Sequence, residues 1–176
     1  RWLDKNFDAL NPRTSVREIP SGIISSKNAM AFVVLSSLAF IVCCYFINML
    51  CFWLSFVALF VILFYSYTKR FSPLCHLVLG LGLSLAPIGA YLAVAAKFDL
   101  LPVLFSFTVL FWVSGFDIIY ALQDEEFDIA NNLSSIPAVL GKTKALRVPA
   151  ILILLRLAFL ISACLYGPFG WPYLLC

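Results

Sequence analysis

The sequence predicts an all-α protein that crosses a membrane several times. Its 176 residues are 63% hydrophobic and only 12% charged, and the mean hydropathy is +1.01, far from the composition of soluble domains. The apolar residues form runs close to the ~20 residues that a helix needs to cross the hydrocarbon core of a bilayer. Short polar connections separate the runs, so a bundle of membrane-spanning helices is the expected fold.

A short helix, a polar loop and five complete spans are predicted in order along the chain. The first helix ends at Asn11-Pro12, because proline cannot continue a helix and restricts the residue before it. The spans are predicted at residues 28–48, 51–67, 74–96, 101–122 and 146–165. Between them lie a turn at 49–50, a loop at 68–73, a turn at 97–100 and a second long polar loop at 123–141. Residues 167–172 introduce a further span, and we expect the chain to be an internal part of a larger membrane protein.

The basic residues predict the orientation of these spans. Loops 1–27, 68–73 and 123–147 fall on one side and carry five, two and three of the 12 Lys and Arg residues. Under the positive-inside rule this side is cytoplasmic. The net charge is only +3 and no lysine-rich run occurs, so nucleic-acid binding is not expected. The six cysteines form no Cys-x-x-Cys pair and are interpreted as small core hydrophobes.

Two acidic pairs on this side share one spacing. Asp4 and Asp8 begin the chain, and Asp124 and Asp128 follow the fourth span. On a helix, residues four apart share a face, so each pair brings together like charges that are costly beside hydrocarbon. Magnesium is held by such carboxylates together with substrate phosphates. The alternative is that the aspartates only mark solvated helix ends, but two identical pairs at span boundaries favour the metal.

Basic and polar residues near the pairs are candidates for substrate binding. Lys69 and Arg70 follow the second span, and Arg13 and Arg17 lie in the first loop. Such side chains suit the free oxygens of a magnesium-bound diphosphate. The alternative for each of them is an ordinary positive-inside anchor.

Asp117 is the ionisable residue that is hardest to explain as structure. It lies one helical turn from Tyr120 and two from Asp124, and we expect all three on one helix. A charge at that depth is costly and usually functional. It is expected either to serve the substrate or to pair with Arg156 in the following span, although Arg156 could simply extend to the interface. His76, a lone histidine near a helix start, is predicted to be structural.

Several motifs together resemble the UbiA-type intramembrane prenyltransferases. They are R-x-x-D-x-x-x-D at residues 1–8, the NPRT and REIPSG segments after it, and YALQDEEFD with a later SIP and glycine. The resemblance is to the 4-hydroxybenzoate polyprenyltransferases, including relatives in menaquinone biosynthesis, and runs through nearly all of the chain. The family's first motif normally opens with an asparagine just before the position of Arg1, where this sequence begins.

The resemblance implies a single domain over residues 1–176, incomplete at both ends, within a bundle of about nine spans. The bundle surrounds a central cavity that opens to lipid. Magnesium, held by both acidic motifs, would bind a polyprenyl diphosphate at the cytoplasmic side, in a bacterial inner membrane. The implied metal ligands are Asp4, Asp8, Asp124 and Asp128. Lys69 and Arg70 match a basic pair of the family that is associated with the diphosphate. Arg13, Arg17 and Tyr120 are further candidates for substrate binding.

The implied reaction transfers a polyprenyl group to an aromatic acid such as 4-hydroxybenzoate, in ubiquinone or menaquinone biosynthesis. Asp117, Asp124 and Asp128 are the candidate catalytic residues, and we expect Asp117 or a motif aspartate to polarise the phenol. A naphthoate derivative is the alternative acceptor.

Two other classes of protein compete with this interpretation. A transporter or channel with a carboxylate cation site would need acidic residues near the bilayer midplane and paired broken helices, whereas these aspartates lie at the span boundaries. A phosphatidyl-transferring enzyme would gather its aspartates in one compact motif, whereas these pairs are more than a hundred residues apart.

Overall fold

The structure, a computed structural model, describes residues 2–168. This part of the chain is helical and contains no strand. The predicted further span beyond residue 168 and Arg1 lie outside the described residues. The α-helices are α1 Lys5–Leu10, α2 Ser26–Ile47, α3 Met49–Thr68, α4 Cys75–Ala95, α5 Leu100–Ala121, α6 Glu125–Ala130, α7 Ile136–Leu140, α8 Lys142–Ala145 and α9 Arg147–Tyr166.

Five helical segments of the described chain are long and apolar enough to cross a membrane. They are Ser26–Ile47, Met49–Thr68, Cys75–Ala95, Leu100–Ala130 and Lys142–Tyr166. Each contains or nearly coincides with one of the five predicted spans, so the prediction of an all-α, multi-spanning membrane protein is confirmed. The total of about nine spans, the single domain and the central cavity stay predictions.

The connection between α2 and α3 is tighter than predicted. In place of a turn at residues 49–50, Asn48 alone separates the two helices. Its backbone is extended, and its side-chain oxygen accepts a hydrogen bond of 2.8 Å from the N–H of Cys51. An asparagine that caps a helix in this way satisfies an otherwise unpaired N–H group, so α3 can begin at Met49.

The chain divides into two compact units, Arg1–Tyr67 and Thr68–Cys176. In the first unit the start of α2 is hydrogen-bonded to residues at and just before the start of α1. The indole N–H of Trp2 donates to the carbonyl of Ser26 at 3.0 Å, and the Lys5 ammonium donates to the hydroxyl of Ser26 at 2.8 Å. Ser25 caps α2 by accepting from the N–H of Asn28 at 3.2 Å.

In the second unit α5 packs against both α4 and α9. A side chain at Gly80 of α4 would collide with the Ser114 hydroxyl and lie 2.6 Å from the carbonyl oxygen of Leu110, so glycine permits this close approach. Buried apolar residues of α5, α7, α8 and α9 form the hydrophobic core of this unit: Ile118, Ile136, Ala145 and Leu152.

The predicted loop at 123–141 is largely helical. Helix α5 ends at Ala121, a 3-10 turn covers Leu122–Asp124, and α6 begins at Glu125. Asp117 and Asp124 therefore lie on one helical segment, Leu100–Ala130, in which the 3-10 turn interrupts the α-helical hydrogen bonding before Glu125. Ser135 caps α7 by accepting from the N–H of Ala138 at 3.4 Å, which explains why a helix starts at the Ser-Ile-Pro sequence.

Candidate active site

The first acidic pair lies one helical turn apart in the first unit. Asp4 is the N-cap of α1, and the N–H of Asp8 donates to the carbonyl of Asp4 at 2.8 Å. The Asp8 side chain is nearly buried, and the Arg17 guanidinium donates to its Oδ1 at 2.8 Å. The Thr14 hydroxyl donates to the carbonyl of Asp8 at 3.0 Å. Arg17 thus compensates the Asp8 charge, and the intervening loop folds back onto α1.

A cleft of about 710 Å³ opens beside this ion pair. Asp8, Arg17, Glu18 and Asn28 supply polar groups to its wall, and the rest of the lining is apolar. Such a mixture suits a molecule with a polar head and a hydrocarbon body. The apolar residues of the lining include Trp2, Ile19, Pro20, Ile24, Ala29, Phe32 and Val33.

The second acidic pair lies at the junction between the 3-10 turn and α6. Asp124 ends the turn and is the N-cap of α6, and Asp128 lies within α6 with a side chain that is 0% exposed. The Lys69 ammonium lies 2.8 Å from Oδ1 of Asp128. The contact is not aligned as a hydrogen bond, and neither oxygen of this carboxylate has a hydrogen-bond partner. Lys69 therefore balances the charge of Asp128, while both carboxylate oxygens remain available to bind a metal ion.

Backbone contacts fix Lys69 in this position. The N–H of Ser134 donates to the carbonyl of Lys69 at 2.8 Å, and the N–H of Leu133 donates to the carbonyl of Asp128 at 2.9 Å. The loop before α4 and the loop after α6 are thus joined through main-chain atoms. Arg70 is exposed beside Lys69.

The donor set at Asp128 fits magnesium. The cation prefers carboxylate oxygens and is usually held by one or two of them plus phosphates and water. The two oxygens of Asp128 are buried without hydrogen bonds, and so is Oε2 of Glu125, although the Lys142 ammonium lies 3.6 Å from that atom. Among residues 2–168 no cluster of three or more His, Cys, Asp or Glu forms a complete protein cage. A metal here would need substrate oxygens to complete its coordination.

Asp117 pairs with His76 rather than with Arg156. Nδ1 of His76 lies 2.6 Å from Oδ2 of Asp117, and the N–H of Ile136 donates to Nε2 of the same ring at 3.3 Å. Arg156 instead places its guanidinium 5.1 Å from the centre of the Trp112 ring, a cation–π contact. The interpretation of Arg156 as the salt-bridge partner of Asp117 is wrong, and His76, predicted to be structural, is that partner.

Tyr120 and Arg13 are the remaining predicted substrate-binding residues. Tyr120 is exposed, with its ring stacked on Phe116 at 6.5 Å between centroids. The N–H of Arg13 donates to Oδ1 of Asn11 at 2.9 Å, which closes the turn after α1. Their predicted roles in substrate binding stay predictions.

Within the second unit the structure brings together Lys69 with Asp128 and, separately, His76 with Asp117. Within the first it brings together Asp8 and Arg17. The expectation that both acidic pairs face one cavity stays a prediction. The histidine contact was not visible in the sequence, because the two residues are 41 positions apart and a lone histidine carries no local signal.

Comparison with known proteins decides the family. The sequence pattern of the UbiA prenyltransferase family matches residues 1–176, the whole chain. The chain belongs to the UbiA prenyltransferase family. The resemblance predicted from the acidic motifs is thereby confirmed.

The chain is similar to individual members of the UbiA family over part of their length. It is 35% identical over 170 residues to a 4-hydroxybenzoate octaprenyltransferase of Francisella tularensis subsp. novicida, covering 95% of this chain and 58% of that protein. A 4-hydroxybenzoate octaprenyltransferase of Alcanivorax borkumensis is 33% identical, with 98% and 59% covered. The chain thus spans somewhat more than half the length of these relatives.

A solved structure from the UbiA family has the same fold. The apo structure of a UbiA homolog from Aeropyrum pernix K1 matches with a TM-score of 0.90 and 31% identity. The match covers 98% of this chain and 66% of that one.

Proposed function

We propose that this UbiA-family chain is part of a magnesium-dependent enzyme that transfers a polyprenyl group from its diphosphate to an aromatic acid. The observation that carries the proposal is the buried Asp128 carboxylate, which is compensated by Lys69 yet has no hydrogen-bond donor on either oxygen. A fully buried, unsaturated carboxylate is costly unless it binds a ligand. The names of the similar proteins support 4-hydroxybenzoate as the acceptor, and the proposed product is a quinone precursor.

Each acidic pair has a proposed role at the metal. Asp124 and Asp128 in the second unit, and Asp4 and Asp8 in the first, are the proposed magnesium ligands. Bound magnesium would supply positive charge to the leaving diphosphate. Both pairs retain a basic residue close by, Lys69 at Asp128 and Arg17 at Asp8, and these cations are proposed to bind phosphate oxygens once substrate arrives.

The proposed chemistry is an electrophilic substitution on the aromatic ring. The allylic C–O bond breaks and its electron pair leaves with the diphosphate, whose charge Lys69, Arg70, Arg13 and Arg17 stabilise. The allylic carbon forms a bond to the ring carbon beside the phenol oxygen, and that carbon then loses its proton to water. Apolar surroundings protect the cationic carbon from premature capture by water.

Asp117 and Tyr120 are the residues proposed to bind the aromatic acceptor. An ionised Asp117 would accept a hydrogen bond from the phenol and so increase electron density on the ring. Tyr120, one turn further along α5, would line the acceptor position. The positive-inside rule supports a cytoplasmic position for this chemistry, and the proposed location is a bacterial inner membrane.

The test is a transfer assay with the full-length protein in lipid nanodiscs. Octaprenyl diphosphate and radiolabelled 4-hydroxybenzoate should give a prenylated acid and pyrophosphate in magnesium, and no product when EDTA is present. Asp124→Asn and Asp4→Asn should each lower turnover about 100-fold or more, because a metal that stabilises leaving-group charge is worth several kcal/mol. A 1,4-dihydroxy-2-naphthoate substrate tests the alternative acceptor.

Glu126→Gln is the matched control. Glu126 lies between the two aspartates but is 94% exposed, so its loss should leave turnover unchanged. Absence of product from both acids, or full activity in EDTA, would refute the proposed function. Equal losses in Glu126→Gln and Asp124→Asn would show that general negative charge, not ligation, matters.

A further inference from the structure

His76 is a buried ring with a partner on each nitrogen. It is the second residue of α4, and its side chain is 3% exposed. Nδ1 faces the Asp117 carboxylate of α5 at 2.6 Å, and Nε2 accepts from the N–H of Ile136, the first residue of α7, at 3.3 Å. One imidazole therefore connects three helices of the second unit.

These contacts favour one tautomer of a neutral ring. The N–H of Ile136 faces Nε2, so that nitrogen accepts and carries no proton. The ring proton is then on Nδ1, where it donates to Oδ2 of Asp117. One carboxyl oxygen of Asp117 is thus engaged by the buried ring.

The arrangement leaves the other oxygen of Asp117 available. The Asp117 side chain is 32% exposed, and among the described residues Oδ1 has no hydrogen-bond donor. One oxygen is held in a fixed direction by a buried ring, while the other can accept from a substrate hydroxyl. This is the way in which buried partners orient a functional side chain.

We infer that His76 is a positioning residue, which orients the Asp117 carboxylate toward the phenol of the aromatic acceptor and anchors it to the first turn of α7. The inference rests on the proposed function and adds a residue to its acceptor side. His76 does not touch the acceptor and takes no proton from it. Its effect on transfer passes entirely through the orientation and charge of Asp117.

The anchor at α7 distinguishes this arrangement from a simple ion pair. Ser135 caps α7, and the neighbouring Cys75 thiol lies 3.6 Å from the carbonyl oxygen of Ser134. The segment after α6 is thereby held against the start of α4 at consecutive residues. A displacement of α7 would move the imidazole, and the imidazole would move Asp117.

The experiment compares His76→Phe with His76→Gln in the full-length protein in nanodiscs. Phenylalanine keeps a ring but removes both hydrogen bonds. Glutamine keeps a donor for Asp117 and an acceptor for Ile136 but has no imidazole. Ser84→Ala is the control, since Ser84 is a buried polar residue of the same helix whose hydroxyl donates to its own helix at Leu81.

Four quantities are measured for each variant: kcat and KM for 4-hydroxybenzoate, the Kd of octaprenyl diphosphate with magnesium, and Tm. His76→Phe should lower kcat/KM for the acid about 10- to 100-fold, the usual effect of misplacing a reacting group by about 1 Å. Its Kd for the diphosphate should stay close to wild type. His76→Gln should recover most of the loss, and Ser84→Ala should behave like the wild type.

Three results would overturn the inference while leaving the proposed function intact. One is wild-type transfer by His76→Phe. Another is a parallel loss of diphosphate binding and Tm in both His76 variants, which indicates a purely structural residue. The third is that His76→Gln has a normal Tm but is as inactive as His76→Phe. That result would indicate that the imidazole itself transfers a proton. A wild-type protein without transfer activity would refute the proposed function itself, and the inference with it.

If His76→Phe fails to fold, His76→Asn replaces it. The shorter amide reaches Asp117 but not Ile136, so it separates the carboxylate from α7. Transfer to the acid should still fall while the diphosphate Kd is retained. An unchanged kcat/KM in His76→Asn would overturn the inference.

Discussion

Two lysines of the second unit differ in how closely they approach buried carboxylates. Asp128 is 0% exposed and lies 2.8 Å from a Lys69 that is 35% exposed. Lys142 is 60% exposed and lies 3.6 Å from Glu125, which is 12% exposed, and 3.9 Å from Glu126, which is 94% exposed. Water and salt screen the more hydrated and more distant Lys142 more strongly, whereas a fully buried charge that loses its partner remains uncompensated. Loss of Lys69 should therefore cost more stability than loss of Lys142.

Lys69→Met should destabilise the metal-free protein more than Lys142→Met does. The expected loss at Lys69 is about 1–3 kcal/mol, less than for a fully buried pair because the ammonium is partly hydrated. At Lys142 the expected change is below about 1 kcal/mol. Thermal unfolding in detergent with EDTA measures both.

Magnesium gives this comparison a second readout. If Asp128 is a ligand, added magnesium should raise the Tm of Lys69→Met more than that of wild type, because the metal then replaces the missing cation. Equal stability of Lys69→Met and wild type in EDTA would contradict the assignment of Lys69 as the charge partner of Asp128. An identical magnesium response in all three proteins would argue against ligation by Asp128.

The residues of the candidate site were predictable to different degrees. Asp4, Asp8, Asp124 and Asp128 were predicted from spacing alone, because a repeated four-residue interval has a direct meaning on a helix. The partner of Asp117 was not predictable in the same way. Spacing reports neighbours on one helix, whereas His76 meets Asp117 through the packing of α4 on α5.

At the scale of the helix, hydrophobic run length was the most reliable signal. Every predicted span is present with ends shifted by a few residues, because the cost of exposing backbone polar groups to lipid makes each run helical throughout. The helix α4 even continues through Pro87. The 3-10 turn and the short helices α6 to α8 were missed because the segment is polar and each element is too short to show a period.

The contact of α4 with α5 yields a prediction for Gly80. A methyl group there would collide with the Ser114 hydroxyl and the Leu110 carbonyl oxygen at 2.6 Å, and the carbonyl belongs to a helix backbone that cannot easily move. Gly80→Ala should therefore destabilise the protein by about 1–3 kcal/mol, as overpacking generally does. Because His76 lies one turn before Gly80 on the same helix, the substitution should also weaken transfer to the aromatic acid.

Gly89→Ala is the matched control for Gly80→Ala. It lies on the same helix, and a methyl group there meets no atom within 4 Å. It should be neutral or gain up to about 1 kcal/mol, since alanine favours the helix over glycine. Unfolding in detergent measures both variants. Equal stability of the two alanine proteins would show that α4 and α5 can separate without cost.

At the scale of the whole molecule, contacts within the second unit support the prediction that loops 68–73 and 123–147 lie on the same side of the membrane. The hydrogen bond from Ser134 to the carbonyl of Lys69 joins the loop before α4 to the segment after α6. Both therefore lie at one end of the α4–α5 pair, while the turn containing Lys97 connects the opposite ends of these helices. The sequence could predict this alternation from span count alone, but the direct contact depended on tertiary packing.

Labelling of single cysteines tests which end is cytoplasmic. The six native cysteines are first replaced by alanine or serine, and activity is checked. Glu126→Cys and Lys97→Cys then report the two ends, because Glu126 is 94% exposed and Lys97 is also exposed.

In intact bacterial cells a membrane-impermeant maleimide should label position 97 and leave position 126 unlabelled. Permeabilised cells should show labelling at both positions, because the reagent then reaches both sides of the membrane. Position 126 is expected to be the protected one in intact cells, because basic loops tend to stay on the cytoplasmic side. The reverse pattern would place Asp124, Asp128 and Lys69 outside the cell, where a cytoplasmic diphosphate substrate could not reach them.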